Sequence, residues 1–234
     1  MSTRILAIDT ATEACSAALM EDCLLLERYV VAPREHTQRI LPMVDSLLAE
    51  AGIKLKELDA LAFSRGPGSF TGVRIGIGIA QGLALGADLP LIGISTLATV
   101  AEGAWRQTGV SQILTAINAH MGKVYWAQYQ RQAEGKWLGE ESETIATPAV
   151  LAVLNAHITG CWATAGTGWQ IYPTLMSSDN RLQLIPGHTL LPSARDILPL
   201  ALYLFCRGGA QQAALVQPNY LHNDVMWKKL PGRG

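Results

Sequence analysis

The sequence predicts an α/β protein of two similar lobes, each a mixed sheet with helices packed on it. The first observation is an order of three short apolar strands followed by helix, strand, helix, strand, helix, which belongs to a mixed sheet with helices on its faces. The second is that this order partly recurs beyond residue 109. The third is bulk: 234 residues, 49% hydrophobic and 16% charged, are enough to bury a sizeable core and argue against disorder. We divide the chain into an N-terminal lobe (1–108), a C-terminal lobe (109–208) and a tail (209–234). The last helix of the C-terminal lobe, 193–207, is expected to pack back across the lobes.

In chain order, Ile5–Asp9 is an apolar run ending in an acid, Cys15–Met20 a second strand and Cys23–Val31 a third, joined by polar turns into a meander. Ile40, Leu41, Val44, Leu47, Leu48 and Ala51 recur at three- and four-residue steps and predict a helix over 37–51, with Pro42 expected to delay or bend its start. Leu58–Ser64 is a strand that runs into Gly66-Pro67-Gly68, a turn with a fixed φ between two residues free to adopt positive φ. Ser69 caps the helix that follows, to about Leu85; Leu91–Ile94 is a strand, and Ser95 caps a helix over 96–105. Gln112–Asn118, Lys123–Gln130 and Trp137–Ile145 form a second meander. A helix from Pro148 to His157, a strand over 161–165, a short helix over 169–175 and a surface loop from Ser177 come next. A last helix runs to Phe205 and closes at Gly208-Gly209.

The helix after Ser69 carries two small-residue stripes at four-residue spacing, Gly72–Gly76–Ala80–Ala84 and Gly78–Gly82–Gly86. Each mid-helix glycine costs about 0.5–1 kcal/mol relative to alanine, so close approach of another backbone must compensate. One reading jams the helix against its own sheet and the other docks a partner helix; the two can hold on different faces. We expect the Gly72 stripe to face outward. No dinucleotide fingerprint is present, because the third glycine comes one place late, and no Walker loop, because Val73 and Arg74 follow Gly72.

Several classes are set aside. No window reaches the roughly 18 uninterrupted apolar residues of a membrane span, and the N-terminus lacks a signal-peptide pattern. Cys15, Cys23, Cys161 and Cys206 form no Cys-x-x-Cys pair and fit a reduced, cytoplasmic protein. A net charge of −1 leaves no basic footprint for nucleic acid outside Lys228, Lys229 and Arg233. No Gly-x-Ser-x-Gly elbow supports a hydrolase. Asp9 can orient a metal-bound water or simply make Asx bonds, Thr10 and Thr12 can donate to a phosphate or to backbone, and His36 can cap a helix or meet a partner.

A duplicated fold whose first turn reads Asp9-Thr10-Ala11-Thr12 resembles the actin/sugar-kinase/Hsp70 (ASKHA) superfamily, whose first turn faces nucleotide phosphates. Residues 5–18, 34–43 and above all Arg65-Gly-Pro-Gly-Ser-Phe-Thr-Gly-Val-Arg are similar to the TsaB (YeaZ) family of bacterial tRNA threonylcarbamoyladenosine biosynthesis proteins. The tail string Pro218-x-Tyr220-Leu221 matches too, although His222 stands where the family usually has Arg. The resemblance implies a required, non-catalytic subunit that supports the paralogous transferase TsaD, with the ATPase TsaE, in modifying adenosine 37 of tRNAs reading codons that begin with A. It implies no cofactor in the lone chain beyond weak ATP or ADP, or nucleotide at the complex interface; tRNA contact only through the complex; a homodimer in isolation; and no membrane. TsaD-like proteins hold a metal through a His-x-x-x-His pair whose positions fall at about Thr96 and Val100, so no metal is expected here. The resemblance places the partner interface on His36, Ile40, Leu41, Val44, Leu48, Gly72, Arg74, Gly76 and Ala80, and a nucleotide-facing turn at Asp9, Thr10 and Thr12. The alternative is a stand-alone ATP-binding, kinase-like enzyme, for which Gly166-Thr167-Gly168 is a weak second loop.

Overall fold

The chain opens with β1 (Arg4–Asp9), β2 (Ala14–Glu21) and β3 (Leu24–Val31), an antiparallel meander. The structure, a computed structural model, describes residues 3–22, 24–175 and 181–221. α1 (His36–Ala51) leads to β4 (Ala60–Ser64), and α2 (Phe70–Ala87) to β5 (Leu91–Ile94). β4 adds parallel to β1 and β5 parallel to β4, giving the order β3-β2-β1-β4-β5. α3 (Thr96–Thr108) then crosses to a second sheet made of β6 (Gln112–Asn118), β7 (Val124–Arg131), β8 (Trp137–Leu138) and β9 (Thr144–Ala146), followed by α4 (Pro148–Leu154), β10 (Gly160–Ala165), α5 (Gly168–Ile171) and β11 (Leu182–Pro186). Its order, β11-β10-β6-β7-β8 with β9 also on β7, repeats that of the first: an antiparallel hairpin whose first strand takes two parallel strands on its other side. The two lobes are therefore the same topology twice.

The lobes exchange helices. α1 and α2 cover the outer face of the first sheet, where Leu6, Ile8, Leu61 and Phe63 meet Ile40, Val44, Leu47, Val73 and Ile77. The inner face of that sheet is covered by α6 (Ala194–Phe205), from the other half of the chain, through Ile197, Leu198 and Ala201. α3, from the first half, covers the second sheet through Leu97, Val100 and Ala104. α3 and α6 touch in the middle. Gly103 permits this approach, since a Cβ there would lie 2.8 Å from Asp196 Oδ2 and 2.8 Å from Thr189 Cγ2. Buried Asp196 accepts from Arg106 Nε and Nη2 at 2.7 and 3.1 Å, the paired arrangement a buried carboxylate needs.

Three segments differ from expectation. α1 runs unbroken through Pro42, which sits on its exposed side. The strand expected over 137–145 is broken into β8, a 3₁₀ turn and β9, because Gly139, at φ +129°, packs where a Cβ would lie 2.0 Å from the Gln128 carbonyl. β11 occupies part of the segment expected to be surface loop; it completes the second sheet.

α2 reverses the expected orientation of its stripes. Ser69 caps it, accepting from the Gly72 N–H at 3.3 Å. Gly72, Val73, Gly76, Ile77, Ala80 and Ala84 are the buried side. A Cβ at Gly68 would lie 2.3 Å from the Ala11 carbonyl oxygen, at Gly72 2.2 Å from that of Thr10, and at Gly76 2.7 Å from Thr10 Oγ1. The Gly72 stripe thus faces inward, against the turn between β1 and β2, while Gly78, Gly82 and Gly86 have nothing within 4 Å. By length and composition α2 is one helix that could cross a membrane, but its inner side is committed to the sheet.

The two stripes should respond oppositely to a methyl group. Gly72→Ala should destabilise the chain by about 2–4 kcal/mol, because the clash is with backbone. Gly82→Ala, in open space, should stabilise it by about 0.5–1 kcal/mol. Urea unfolding of the two variants reads both signs, and a Gly72→Ala protein as stable as its parent would contradict the packing.

Candidate functional site

The turn between β1 and β2 is sealed rather than open. Asp9, Thr10, Ala11 and Thr12 are all buried. Thr10 Oγ1 donates to the Gly72 carbonyl at 2.7 Å, Thr12 Oγ1 accepts from the Ala14 N–H at 3.4 Å, and the Ser69 N–H donates to the Ala11 carbonyl at 2.8 Å. Both threonines thus bond to backbone, and Asp9 Oδ1 closes an Asx turn by accepting from the Ala11 N–H at 2.9 Å. Gly66 takes φ +97°; Gly68 does not take positive φ and is glycine because the Ala11 carbonyl lies against it.

Asp9 Oδ2 is left without a hydrogen bond. The neighbouring Ser64 hydroxyl pulls the carboxyl pKa down a little, but it is itself bonded to Thr96 Oγ1 at 2.7 Å. Burial dominates and pushes Asp9 up to about 7, with the Ala11 N–H opposing it. Burial likewise pushes the Cys15 thiol up to about 11, the behaviour of an inert core cysteine. Thr96 is committed to Ser64, and Val100 is fully buried in the second lobe's core. Among the described residues no group of three or more His, Cys, Asp or Glu side chains is placed to hold a metal.

The residues expected at a partner interface separate into two sets. His36 is buried, its Nε2 within 2.8 Å of the Thr12 carbonyl oxygen and 3.2 Å of that of Ala14, so it ties α1 to the first turn. Ile40, Val44 and Leu48 belong to the core under α1, and Gly72, Gly76 and Ala80 to the inner side of α2. Burial in their own lobe turns these seven away from the surface of the lone chain. Leu41 and Arg74 do face outward, with the exposed side chains of Phe70 and Leu85 and the open stripe Gly78–Gly82–Gly86 on α2. Arg74 stacks its guanidinium 3.2 Å from the centroid of Phe70 and 5.1 Å from that of Tyr220.

Sequence reasoning missed a junction where both lobes meet the tail. Glu143 Oε1 accepts from the hydroxyls of Ser95 and Tyr129, and Oε2 accepts from Asn219 Nδ2 at 2.7 Å. Arg65 pairs with Glu140 across the same boundary. These partners lie far apart in sequence and have no local spacing that would have announced them. His222 and the basic residues of the tail lie outside the described residues.

Known proteins resemble the chain closely. The family described as TsaD, tRNA N6-adenosine threonylcarbamoyltransferase, matches residues 30–157. The tRNA threonylcarbamoyladenosine biosynthesis protein TsaB of Escherichia coli (strain K12) is 54% identical over 230 residues, covering 98% of this chain and 99% of that protein. That of Haemophilus influenzae is 42% identical over 238 residues, covering 98% of each. Among solved structures, YeaZ from Pseudomonas aeruginosa is similar with a TM-score of 0.82 at 42% identity, over 94% of this chain and all of that one (100%).

The state of Asp9 should be visible in stability against pH. Its folded value, about 7, lies above the ordinary 3.8, so the unfolded chain loses this proton first. The folded state is then penalised progressively as pH rises from about 4 to about 7, by on the order of 4 kcal/mol in all, and the penalty is absent below that window. Asp9→Asn, which keeps the acceptor for Ala11 and cannot ionise, should abolish this slope. Denaturation midpoints of both proteins between pH 4 and 8 test it; parallel curves would show that Asp9 does not titrate there.

Proposed function

The chain belongs to the TsaB family of tRNA threonylcarbamoyladenosine biosynthesis proteins, and on that premise we propose that it is a non-catalytic, required subunit docking a TsaD-type paralogue through the outer faces of α1 and α2. The observation that carries this reading is the open stripe Gly78–Gly82–Gly86, beside which Leu85 is 72% exposed and Leu41 43% exposed. A glycine stripe in open space costs helix stability and has nothing in its own chain to compensate, whereas a second helix can approach it closely. Apolar side chains at its margin add area for such a contact.

The non-catalytic part of the proposal rests on what the residues have already been used for. The two threonines and one carboxylate oxygen of the first turn are spent on backbone, and the positions where TsaD-like proteins carry metal-binding histidines hold a bonded threonine and a buried valine. In this proposal TsaE supplies ATPase activity, tRNA is reached only through the complex, the lone chain pairs with itself through the same face, and the assembly works in the cytoplasm. The sealed first turn weighs against the alternative, a stand-alone ATP-binding enzyme; tight ATP binding by the lone chain would favour it instead.

Two variants and a control test the proposal. Gly82→Leu and Leu85→Asp should fold normally, lose more than about tenfold in affinity for the TsaD protein of the same host, and fail to support tRNA modification in an assay reconstituted by omission of single components. Val153→Asp, on α4 of the other lobe and equally exposed at 75%, should leave both unchanged. Normal binding by both α2 variants would place the interface elsewhere.

A further inference from the structure

The tail does not merely trail from α6; it is threaded over the first lobe and then fastened to the second. Gln211 exchanges both backbone hydrogen bonds with Leu91 at 2.8 Å each, adding a bridge to the β5 edge. Ala213 and Val216 are buried in the core under α2, and Gln81 Nε2 donates to the Ala213 carbonyl at 2.9 Å. Beyond this anchor the chain becomes exposed again and turns towards the boundary between the lobes. There the Asn219 N–H donates to the Arg65 carbonyl of the first lobe at 2.7 Å, while its side-chain Nδ2 donates to Glu143 of the second. Tyr220 lies against Phe70, ring centroids 6.0 Å apart, and Leu221 reaches the core of the second lobe.

We propose that residues 217–221 form a releasable clasp across the boundary between the lobes, with Asn219–Glu143 as its fastening. The anchor and the clasp differ in how they are held. Ala213 and Val216 are held by burial, which no single polar contact replaces. None of residues 217–221 is fully buried: Pro218, Asn219 and Leu221 are half-buried and Gln217 and Tyr220 exposed, so their closed position leans on directional bonds more than the anchor does, and the one to a carboxylate is the strongest type available. Glu143 is shaped for it: Ser95 and Tyr129 satisfy Oε1, leaving Oε2 to the tail. When the clasp is closed, the turn at Gly66 is covered, since a Cβ there would lie 3.0 Å from the Asn219 carbonyl oxygen. The same turn meets the start of α3 through the Thr96 N–H, which donates to the Gly66 carbonyl at 2.9 Å. Releasing the clasp therefore uncovers the meeting point of β4, α2 and α3. This inference is independent of the partner-docking reading, because it concerns the lone chain.

Reversing the polarity of the fastening tests it. Asn219→Asp sets a carboxylate against Glu143 and should open the clasp. Amide exchange measured by NMR on the full chain should then accelerate about tenfold or more at Asn219 and Thr96. The anchor amides of Leu91 and Gln211 should keep the parent's rates. The double variant E143Q/N219D restores a donor–acceptor pair, because the new amide keeps its oxygen for Ser95 and Tyr129 and turns its N–H groups to the tail. Exchange at Asn219 and Thr96 should return close to the parent's. Unchanged exchange in N219D, or a double variant no slower than N219D, would overturn the proposal; acceleration spread equally over the anchor amides would do so too, as general loosening.

Discussion

Everything in the first lobe depends on one close approach, the carbonyls of Thr10 and Ala11 lying directly against the backbone of α2 and its entry turn. Gly68, Gly72 and Gly76 exist to permit it, and the contact seats α2 on the sheet. It also decides chemistry. With the helix pressed onto the turn, Thr10 donates to Gly72 and the Asp9 carboxylate is left buried with one oxygen unpaired. A turn of this kind that stood clear of its helix would have hydroxyls and N–H groups to offer a ligand. Here packing has consumed them, and the same glycines account for both the stability of the helix seat and the closure of the turn.

Much of this was legible in the sequence. Strand and helix periods placed nearly every element of the first lobe, because its apolar runs are long and its caps, Ser69 and Ser95, are simple side-chain acceptors. The second lobe was less legible. β11 is a five-residue segment with a weak period, and its reason for being a strand is the open edge of β10 beside it. The direction of the α2 stripes was present in the sequence and read the wrong way. Val73 and Ile77 sit beside Gly72 and Gly76, while Arg74 and Gln81 lie towards Gly78 and Gly82, so the polar neighbours marked the outer side. The exposure of α1 was legible in a related way: Ile40, Val44 and Leu48 are the period that makes α1 amphipathic, and that period points at the core. Leu41, just off it, is the one that faces out. The Glu143 junction was not legible, since it joins Ser95, Tyr129 and Asn219 through tertiary structure alone.

The repeated strand order carries unequal helix layers in the two lobes. Both lobes build a hairpin with two parallel strands beside it, yet the first has a long α1–α2 layer outside and the second only the short α4 and α5. A broad two-helix layer offers area for association; a seven-residue helix and a four-residue one offer little. Under the proposed docking through α1 and α2, the division of labour follows from helix length on an otherwise duplicated frame.

The exchange of α3 and α6 between the lobes bears on how the chain is made. The inner face of the first sheet, with Ile5, Ala7, Ala60 and Ala62 on it, is covered by Ile197, Leu198 and Ala201 of α6. During synthesis that cover emerges only after nearly all of the second lobe has been translated. Until then a nascent first lobe holds an uncovered apolar sheet, the kind of surface that recruits chaperones or aggregates. The lobes look like separable modules in topology, but a ribosome can finish neither of them alone: the first waits for its last helix, and that helix docks between both.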